Sequence, residues 1–523
     1  MTLGPIGTAG CSIVDNMLTP FEAGESREMR EFFRESGYTI QALTSRFGSL
    51  EVPSLHLLKL YLLGVPLEAS RLNLLLRWFW IGSEVESATA REFIPERVIA
   101  LFGKAGILHE TGTMLESTVR ISPFSDLLVA SDHAIARKGP LRGDAVSWPN
   151  PTTLLSDQMT MRAAVGRTLD LGTGNGILAL RAAAHSGQVV ATDINARARE
   201  FVAFNAALNG VANVEFREGS GFEPVRGERF DLVLINPPFF ITPSVRRVFS
   251  DNDMELDGFC RMLLRQSPEF LNPGGYCQML MEWVQVKGQP WRDRLAEWCA
   301  GLGCDVWVLS TYHRSAADYA MIRVQEDREE MSSAADQAAL CTEWQAYFES
   351  RQVEAIFGGI VVMRRREGRN WMRIEELVGM PARPFGDFLR RVFDNRDYLE
   401  SHGDEELIGR RPVLASSARL RKQFGLAAEG WKLTAVDLQL GEGLPYSLAV
   451  QPQVADFLAL CNGERTLGEI ADRMAAALAV DAAMVRRESC AIVRQVADRG
   501  MLVVQPSSTT SSSMVGLASS PGI

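Results

Sequence analysis

Thr168-Leu169-Asp170-Leu171-Gly172-Thr173-Gly174-Asn175-Gly176-Ile177-Leu178-Ala179-Leu180 decides how the middle of this chain folds. Thr168–Leu171 is a short apolar run holding one acid, as a buried parallel strand would be. Gly172, Gly174 and Gly176 then alternate, and Ile177–Ala184 is rich in helix formers. Strand, glycine turn and helix, in that order, are the setting of a loop on which a cofactor lies. Glycines let such a loop turn tightly and approach a ligand closely. A dinucleotide fingerprint would need a glycine at 177, where isoleucine stands. A P-loop would end in Gly-Lys-Ser/Thr, which is absent here. What remains is Asp-x-Gly-x-Gly-x-Gly.

Working outward, Val189-Val190-Ala191-Thr192-Asp193 is a second apolar strand ending in a carboxylate. It follows the glycines by about 20 residues, the separation of an acid that grips a ribose diol. The plain alternative for Asp193 is a turn or helix-capping residue. A third strand, Phe230–Ile235, runs into Asn236-Pro237-Pro238-Phe239. Proline fixes its own φ and restricts the residue before it, so two prolines make a stiff turn that aims Asn236 and the neighbouring carbonyls. The Asn236 oxygen and a proline carbonyl are two acceptors, enough for both hydrogens of a planar NH2 group, with the Phe239 ring beside that plane. An ordinary strand-ending turn is the competing reading.

Asp170–Gly176, Asp193 and Asn236–Phe239, in this order, resemble the class I S-adenosylmethionine-dependent methyltransferases. The Asn-Pro-Pro-aromatic segment resembles the amino-methyltransferase branch, which includes glutamine N5-methyltransferases and base N-methyltransferases of RNA and DNA. The resemblance covers roughly residues 120–325. It implies S-adenosyl-L-methionine as cofactor, with Gly172, Gly174 and Gly176 under its methionine part and Asp170 near its amino group. It places Asp193 on the ribose, and Thr173, Ile194, Ser220, Gly221 and Asn236 complete the implied cofactor set. Asn236, with Pro237, Pro238 and Phe239, would hold the target nitrogen; Phe239 stands where many relatives have tyrosine. One departure is Glu218-Gly219-Ser220-Gly221-Phe222, where Ser220 replaces the acid that relatives place near the adenine. Glu218 or backbone groups are the substitutes. Pro149–Leu155 resembles the segment that closes over the cofactor, or is a proline-rich linker.

The fold class implied is α/β, a Rossmann-like seven-stranded methyltransferase sheet flanked by winged-helix-like domains. We divide the chain into an N-terminal helical, winged-helix-like domain (1–121), the catalytic domain (122–330), an auxiliary α+β unit (331–412), a C-terminal winged-helix-like domain (413–505) and a flexible tail (506–523). Ser54–Leu63, Glu68–Phe79 and Glu96–Gly106 have helical spacing, and 107–121 alternates about a Thr-Gly turn as a hairpin does. Asp257–Leu271 and Trp291–Leu302 read as helices; Tyr276–Trp283, Asp305–Ser310 and Tyr319–Val324 read as the late strands. Ala355–Arg365 and Asn370–Glu376 read as a strand pair. Pro452–Cys461, Leu467–Leu478 and Val485–Arg499 read as helices before a strand at Met501–Gln505. Phe457–Leu467 resembles small winged-helix modules related to peptide-binding chaperones.

Composition bounds the rest. With 523 residues and 46% hydrophobic content, the chain can fill about three or four cores. Eight cysteines, none in a Cys-x-x-Cys pair, and six unclustered histidines argue against a metal site or disulfide framework and for a cytoplasmic protein. No apolar run reaches the roughly 18 residues of a membrane helix. A net charge of −10 argues mildly against a large nucleic-acid footprint. The basic clusters Arg364–Arg366 with Arg369 and Arg373, and Arg410-Arg411 with Arg419, Arg421 and Lys422, read as solvated faces. His313 and Asp318 read as structural surface residues. The expected acceptor is therefore an amide or conjugated amine of a protein, peptide or small metabolite. An RNA base is the alternative, and a non-catalytic scaffold the third reading.

Overall fold

The computed structural model describes residues 17–47, 68–133, 143–245, 250–326, 333–379, 381 and 384–504. The helix expected at Ser54–Leu63 and the tail 506–523 lie outside them. Two compact units result, one of residues 1–156, 164–308 and 313–374, the other of 157–163, 309–312 and 375–523.

The first unit is organised by one eight-stranded sheet. In chain order its strands are β1 (Val165–Leu171), β2 (Ser186–Asp193), β3 (Val214–Glu218), β4 (Phe230–Ile235), β5 (Leu271–Val286), β6 (Cys304–Ser315), β7 (Val353–Arg365) and β8 (Met372–Glu376). Their order across the sheet is β3-β2-β1-β4-β5-β7-β6-β8. β3, β2, β1, β4 and β5 pair in parallel, and β7 runs antiparallel to β5. The α/β Rossmann-like expectation holds. The strand number is eight rather than seven.

The parallel strands are recognisable because both of their faces are covered. Val189, Val190, Ala191 and Leu232–Ile235 are all at most 2% exposed, so each reads as an unbroken apolar run. Ile177, Leu178, Ala179 and Ala182 of the helix Ile177–Ala183 pack on Val189, Ala191, Leu232 and Leu234. Pro273-Gly274-Gly275 is a bulge inside β5, where the register shifts between Leu271 and Tyr276. A Cβ on Gly275 would sit 2.9 Å from the Phe230 carbonyl, so only glycine lets β5 approach β4 there.

Two expectations are corrected at the sheet's far side. Tyr319–Val324, expected as a strand, lies in the helix Ala316–Glu326. Its apolar residues Tyr319, Ala320 and Val324 are buried at helical spacing against Trp344 and Phe348 of the helix Ala334–Ser350. The missing strand comes from Val353–Arg365, expected in an auxiliary unit beyond residue 330, which enters the sheet as β7. β8 then pairs with β6 rather than with β7. The run Arg364-Arg365-Arg366 is not a solvated face. Arg364 is 6% exposed and meets Asp305 at 2.7 Å, while Arg365 donates to the Leu271 carbonyl at 2.8 Å.

Residues before the sheet build onto the same core. Helices Ala23–Glu35, Ser87–Phe93 and Glu96–Lys104 precede a hairpin, Leu108–Thr111 with Met114–Ser117, joined by Val85-Glu86 as a third strand. The rings of Phe33, Phe79 and Phe102 pack on one another at 5.7–5.9 Å in tilted and edge-on pairs. Phe21 meets Phe204 at 5.4 Å, so the helix Ala198–Asn209 of the sheet shares a core with this segment and no break in packing falls at residue 121. A further hairpin, Arg120–Phe124 with Leu127–Ser131, was not expected.

In the second unit, helices Pro452–Ala459, Leu467–Leu478 and Ala482–Ala497 stand where helices were expected. Thr466 caps the second through a reciprocal pair with Glu469. The expected last strand is shorter, Leu502-Val503. An antiparallel sheet of Ala418–Ala427, Gly430–Leu440 and Ser447–Ala449 was not foreseen.

Candidate functional site

The C-terminal ends of β3, β2, β1 and β4 lie side by side, because Leu171 pairs with Thr192 and with Ile235, and Asp193 with Glu218. In open α/β sheets this edge is where ligands bind. It gathers Asp170, the glycine turn, Asp193, Ser220-Gly221 and Asn236, residues spread over 67 positions of sequence.

The glycine turn is left-handed at each glycine, with φ of 74° at Gly172, 54° at Gly174 and 85° at Gly176. The Gly172 and Thr173 N–H groups donate to the Thr192 carbonyl at 2.8 and 2.9 Å, which ties the turn to the end of β2. A Cβ at Gly172 or Gly174 would meet nothing within 4 Å, so these two face open space. One at Gly176 would meet Val202 at 3.0 Å, so this glycine serves helix packing.

Asp170 is 1% exposed. Its Oδ2 accepts from the Thr173 hydroxyl at 2.6 Å and the Ala179 N–H at 3.0 Å, whereas its Oδ1 is buried without a partner. Burial pushes this carboxyl up to about 7, against those two donors and with a further push from Asp193. Asp193 accepts from Gly174 N–H at 2.8 Å and Asn195 N–H at 2.9 Å. Its carboxyl is also raised by burial, which outweighs the backbone donors of Asn195, Gly174 and Ile194. Asp170 is thus dehydrated and Asp193 half-buried, and neither carboxylate forms an ion pair among the described residues.

Around them, the Gly219 N–H donates to the Asp193 carbonyl at 2.9 Å, bringing the β3 loop alongside. Ser220 is exposed and Gly221 has φ of 51° with nothing within 4 Å of an added Cβ. Glu218 is exposed and meets Arg199 at 3.4 Å. Ile194 is 56% exposed. Pro149–Leu155 is not a linker: the helix Pro151–Met159 starts there, and Asn150 Oδ1 accepts from the Thr153 N–H at 3.0 Å.

At the end of β4, Asn236 is half-buried and its side chain makes no hydrogen bond among the described residues. The Pro238 carbonyl is engaged by Asn252 Nδ2 at 2.9 Å, while no described residue donates to the Pro237 carbonyl. Phe239 is 8% exposed, edge-on to Phe240 at 5.3 Å. Behind this segment, the Tyr319 hydroxyl accepts from the Ile241 N–H at 3.2 Å and donates to the buried Glu282 at 2.5 Å. Arg323 meets Glu282 at 3.5 Å and lies over the Phe240 ring. His313 is exposed and stacks on Phe357, and Asp318 accepts from the Ser315 hydroxyl at 2.7 Å.

Several supporting residues escaped the sequence reading. Asn175 accepts from Ile177 N–H and donates to the Ser147 carbonyl at 2.7 Å. Asn205 donates to the carbonyls of Asn175 and Ala130 and accepts from Ala130 N–H; Asn209 treats Leu128 likewise. Two asparagines at i, i+4 in the apolar run after Glu200 were the available signal. The Tyr319–Glu282 contact was hidden by reading 319–324 as a strand.

Among the described residues, no cluster of three or more His, Cys, Asp or Glu could hold a metal, and no helix is long and apolar enough to cross a membrane. Known proteins resemble the central part of this chain. Residues 149–286 match the family model of the methyltransferase small domain, and residues 390–504 match a domain of unknown function, DUF7782. A release factor glutamine methyltransferase of Xylella fastidiosa (strain 9a5c) is 37% identical over 150 residues, 26% of this chain and 54% of that protein. A ribosomal protein uL3 glutamine methyltransferase of Bradyrhizobium diazoefficiens is 35% identical over 125 residues, 21% of this chain and 39% of the relative. A ribosomal RNA small subunit methyltransferase C of Alcanivorax borkumensis is 27% identical over 235 residues, 41% of this chain and 68% of the relative. The chain spans about half the length of the first of these relatives. The resemblance read from the glycine turn, Asp193 and Asn236–Phe239 is borne out by these matches.

Proposed function

We propose that this chain, a member of the class I S-adenosylmethionine-dependent methyltransferases by its central domain, methylates the side-chain amide nitrogen of glutamine in a polypeptide. The observation that carries the reading is the unengaged Asn236 side chain next to the free Pro237 carbonyl, on the strand beside the glycine turn. The residues fit the cofactor. The orphaned Asp170 Oδ1 supplies an acceptor for an ammonium, Asp193 supplies one for ribose hydroxyls, and Gly172, Gly174 and Gly221 leave room for a ligand against the backbone. When bound, S-adenosylmethionine supplies an electrophilic methyl group on a sulfonium.

Everything else falls to the protein's own groups. Asn236 Oδ1 and the Pro237 carbonyl accept the two hydrogens of the amide NH2, which fixes its plane and direction. The same acceptors favour the positive charge that develops on nitrogen during transfer. Orientation of this kind lowers a barrier by up to about 7–11 kcal/mol; the methylated amide nitrogen is then strongly acidic and gives its surplus proton to solvent, so the scheme calls for no dedicated base. Phe239 and the Tyr319–Glu282–Arg323 group hold the segment in place from behind. In this reading the two helices and hairpin of residues 87–117 form a winged-helix-like module that presents the acceptor.

The test supplies the full chain with methyl-labelled S-adenosylmethionine and fractionated extract. Label should enter polypeptide and be recovered as N5-methylglutamine after digestion. Asn236→Ala should lower transfer by about 100-fold or more while cofactor affinity stays within about two-fold. Loss of cofactor binding in that variant would overturn the role given to Asn236. The relative named for ribosomal RNA, matched over 235 residues, favours a second reading in which an RNA base is the acceptor. Label in RNA alone would establish it, and label in neither fraction would sink both.

A further inference from the structure

The second unit carries a surface that the proposed chemistry does not use. Strands Ala418–Ala427 and Gly430–Leu440 form a ribbon in which Leu420 faces Leu438, Lys422 faces Val436, Phe424 faces Leu433 and Leu426 faces Trp431. The register shifts by one residue between Gln423 and Phe424. Side chains alternate along a strand, and the extra residue at the shift keeps these four pairs on one face. At the base of the ribbon that face is core on one strand, with Val436 and Leu438 4% and 3% exposed, while Leu420 opposite Leu438 is 44% exposed. Beyond Lys422 the same face runs into the open, with Phe424 54%, Leu426 75% and Trp431 73% exposed. Exposed apolar surface on this scale, continuous with a core, marks an interaction site.

The charge around it is the opposite of the chain's. Residues 418–434 hold Arg419, Arg421, Lys422 and Lys432 against Glu429 alone, a net of +3 in a chain of −10. Arg421 is 3.5 Å from Asp437, but Lys422 and Lys432 have no ion-pair partner among the described residues. Two open aromatic rings among unpaired cations match a ligand that is both flat and polyanionic.

We propose that this ribbon binds single-stranded nucleic acid, with bases stacked on Phe424 and Trp431 and phosphate met by Lys422 on the same face, while Arg419, Arg421 and Lys432, which alternation puts on the opposite face, add to the ribbon's positive field. Stacking on aromatic side chains in a cationic setting tolerates any base sequence. A lipid surface fits less well. End-on insertion would carry Glu429, in the turn at the ribbon's tip, into the head groups, and only one apolar pair lies beyond Lys432. The inference does not depend on the identity of the methyl acceptor.

The probe is a fluorescein-labelled uridylate dodecamer, titrated with the full chain and followed by anisotropy at low and moderate salt. Saturable binding that weakens with salt is expected. F424A/W431A should lower affinity at least about 30-fold, the low end for losing two stacked bases. K422Q should weaken binding and flatten the slope of log affinity against log salt by about 0.7, and K432Q, on the opposite face, should flatten it less. All four side chains are solvent-exposed, so folding should survive; unchanged S-adenosylmethionine affinity in every variant checks this. The proposal is overturned by no binding at tens of micromolar protein, or by binding that F424A/W431A leaves intact. Equal displacement by polyglutamate would make the face a general polyanion site and also overturn it. So would Trp431-dependent sedimentation with phosphatidylglycerol vesicles in the absence of RNA binding.

Discussion

Asp170→Asn isolates the carboxylate that the fold leaves unsatisfied. In the native chain Asp170 has one oxygen held by Thr173 and Ala179 and the other buried without a partner, and burial lifts its carboxyl from 3.8 to about 7. If the cofactor's ammonium binds the ionised form, affinity must fall as the group takes up a proton. With a midpoint near 7, about 3% is ionised at pH 5.5 and about three quarters at pH 7.5, so the dissociation constant should be about 25-fold higher at the lower pH. Stability moves the other way. A carboxyl raised on folding holds its proton more firmly in the native state, so this group's contribution to cofactor-free stability is greatest below pH 3.8, falls as pH rises, and levels off above 7. At 1.36 kcal/mol per pH unit, the rise from 3.8 to about 7 amounts to ~4 kcal/mol. Calorimetric titration of S-adenosylmethionine from pH 5.5 to 7.5, with thermal melts of the free protein over the same range, measures both. Asp170→Asn should bind weakly at every pH, as the native chain does in acid. Its melting temperature should exceed the native value at pH 7.5. A native affinity that is flat with pH, or an unchanged slope in the variant, would refute the assignment of Asp170 to the ammonium.

Two other substitutions probe neighbouring parts of the site. Asp193→Ala removes the acceptor for two backbone N–H groups as well as the proposed ribose contact. It should weaken cofactor binding by about 100-fold, ~2–3 kcal/mol for charge-assisted hydrogen bonds, as read by calorimetry. Unchanged affinity would return Asp193 to the role of a turn residue. Tyr319→Phe strips the acceptor from the Ile241 N–H and a donor from buried Glu282. Leaving these groups unpaired should cost about 1–3 kcal/mol and lower the melting temperature by several degrees. Transfer should fall further than cofactor affinity, since the segment after Asn236 loosens; equal losses of both would argue against that coupling.

Parts of this architecture could be read directly because local sequence and tertiary demand coincide. Phe230–Ile235 is a strand with the bounds its apolar run suggested, since a parallel strand covered on both faces needs an apolar side chain at nearly every position. The alternating glycines were legible for a similar reason: left-handed φ at three positions within five residues leaves little choice of residue. Where burial falls on one side, short runs mislead. Tyr319–Val324 has enough apolar residues for a strand, yet Tyr319, Ala320 and Val324 face one side of a helix. The ribbon of 418–440 escaped notice because much of it is exposed on both faces, and so lacks the alternation that betrays a half-buried strand.

The sequence alone determined which chemistry the central domain is built for. Asp170, the glycines, Asp193 and Asn236 each end a strand or form its turn, and parallel strands joined by helices deliver such ends to a common edge. Tertiary structure decided what no single segment encodes. It placed β7, from a stretch expected outside the catalytic domain, between β5 and β6. It bound the glycine turn to a distant hairpin through Asn205. It left one oxygen of Asp170 buried and unpaired while burying both oxygens of Glu282 beside Tyr319 and Arg323. The physical reason is that strand pairing, desolvation and hydrogen-bond satisfaction depend on which residues meet across the fold, and those partners lie far away along the chain.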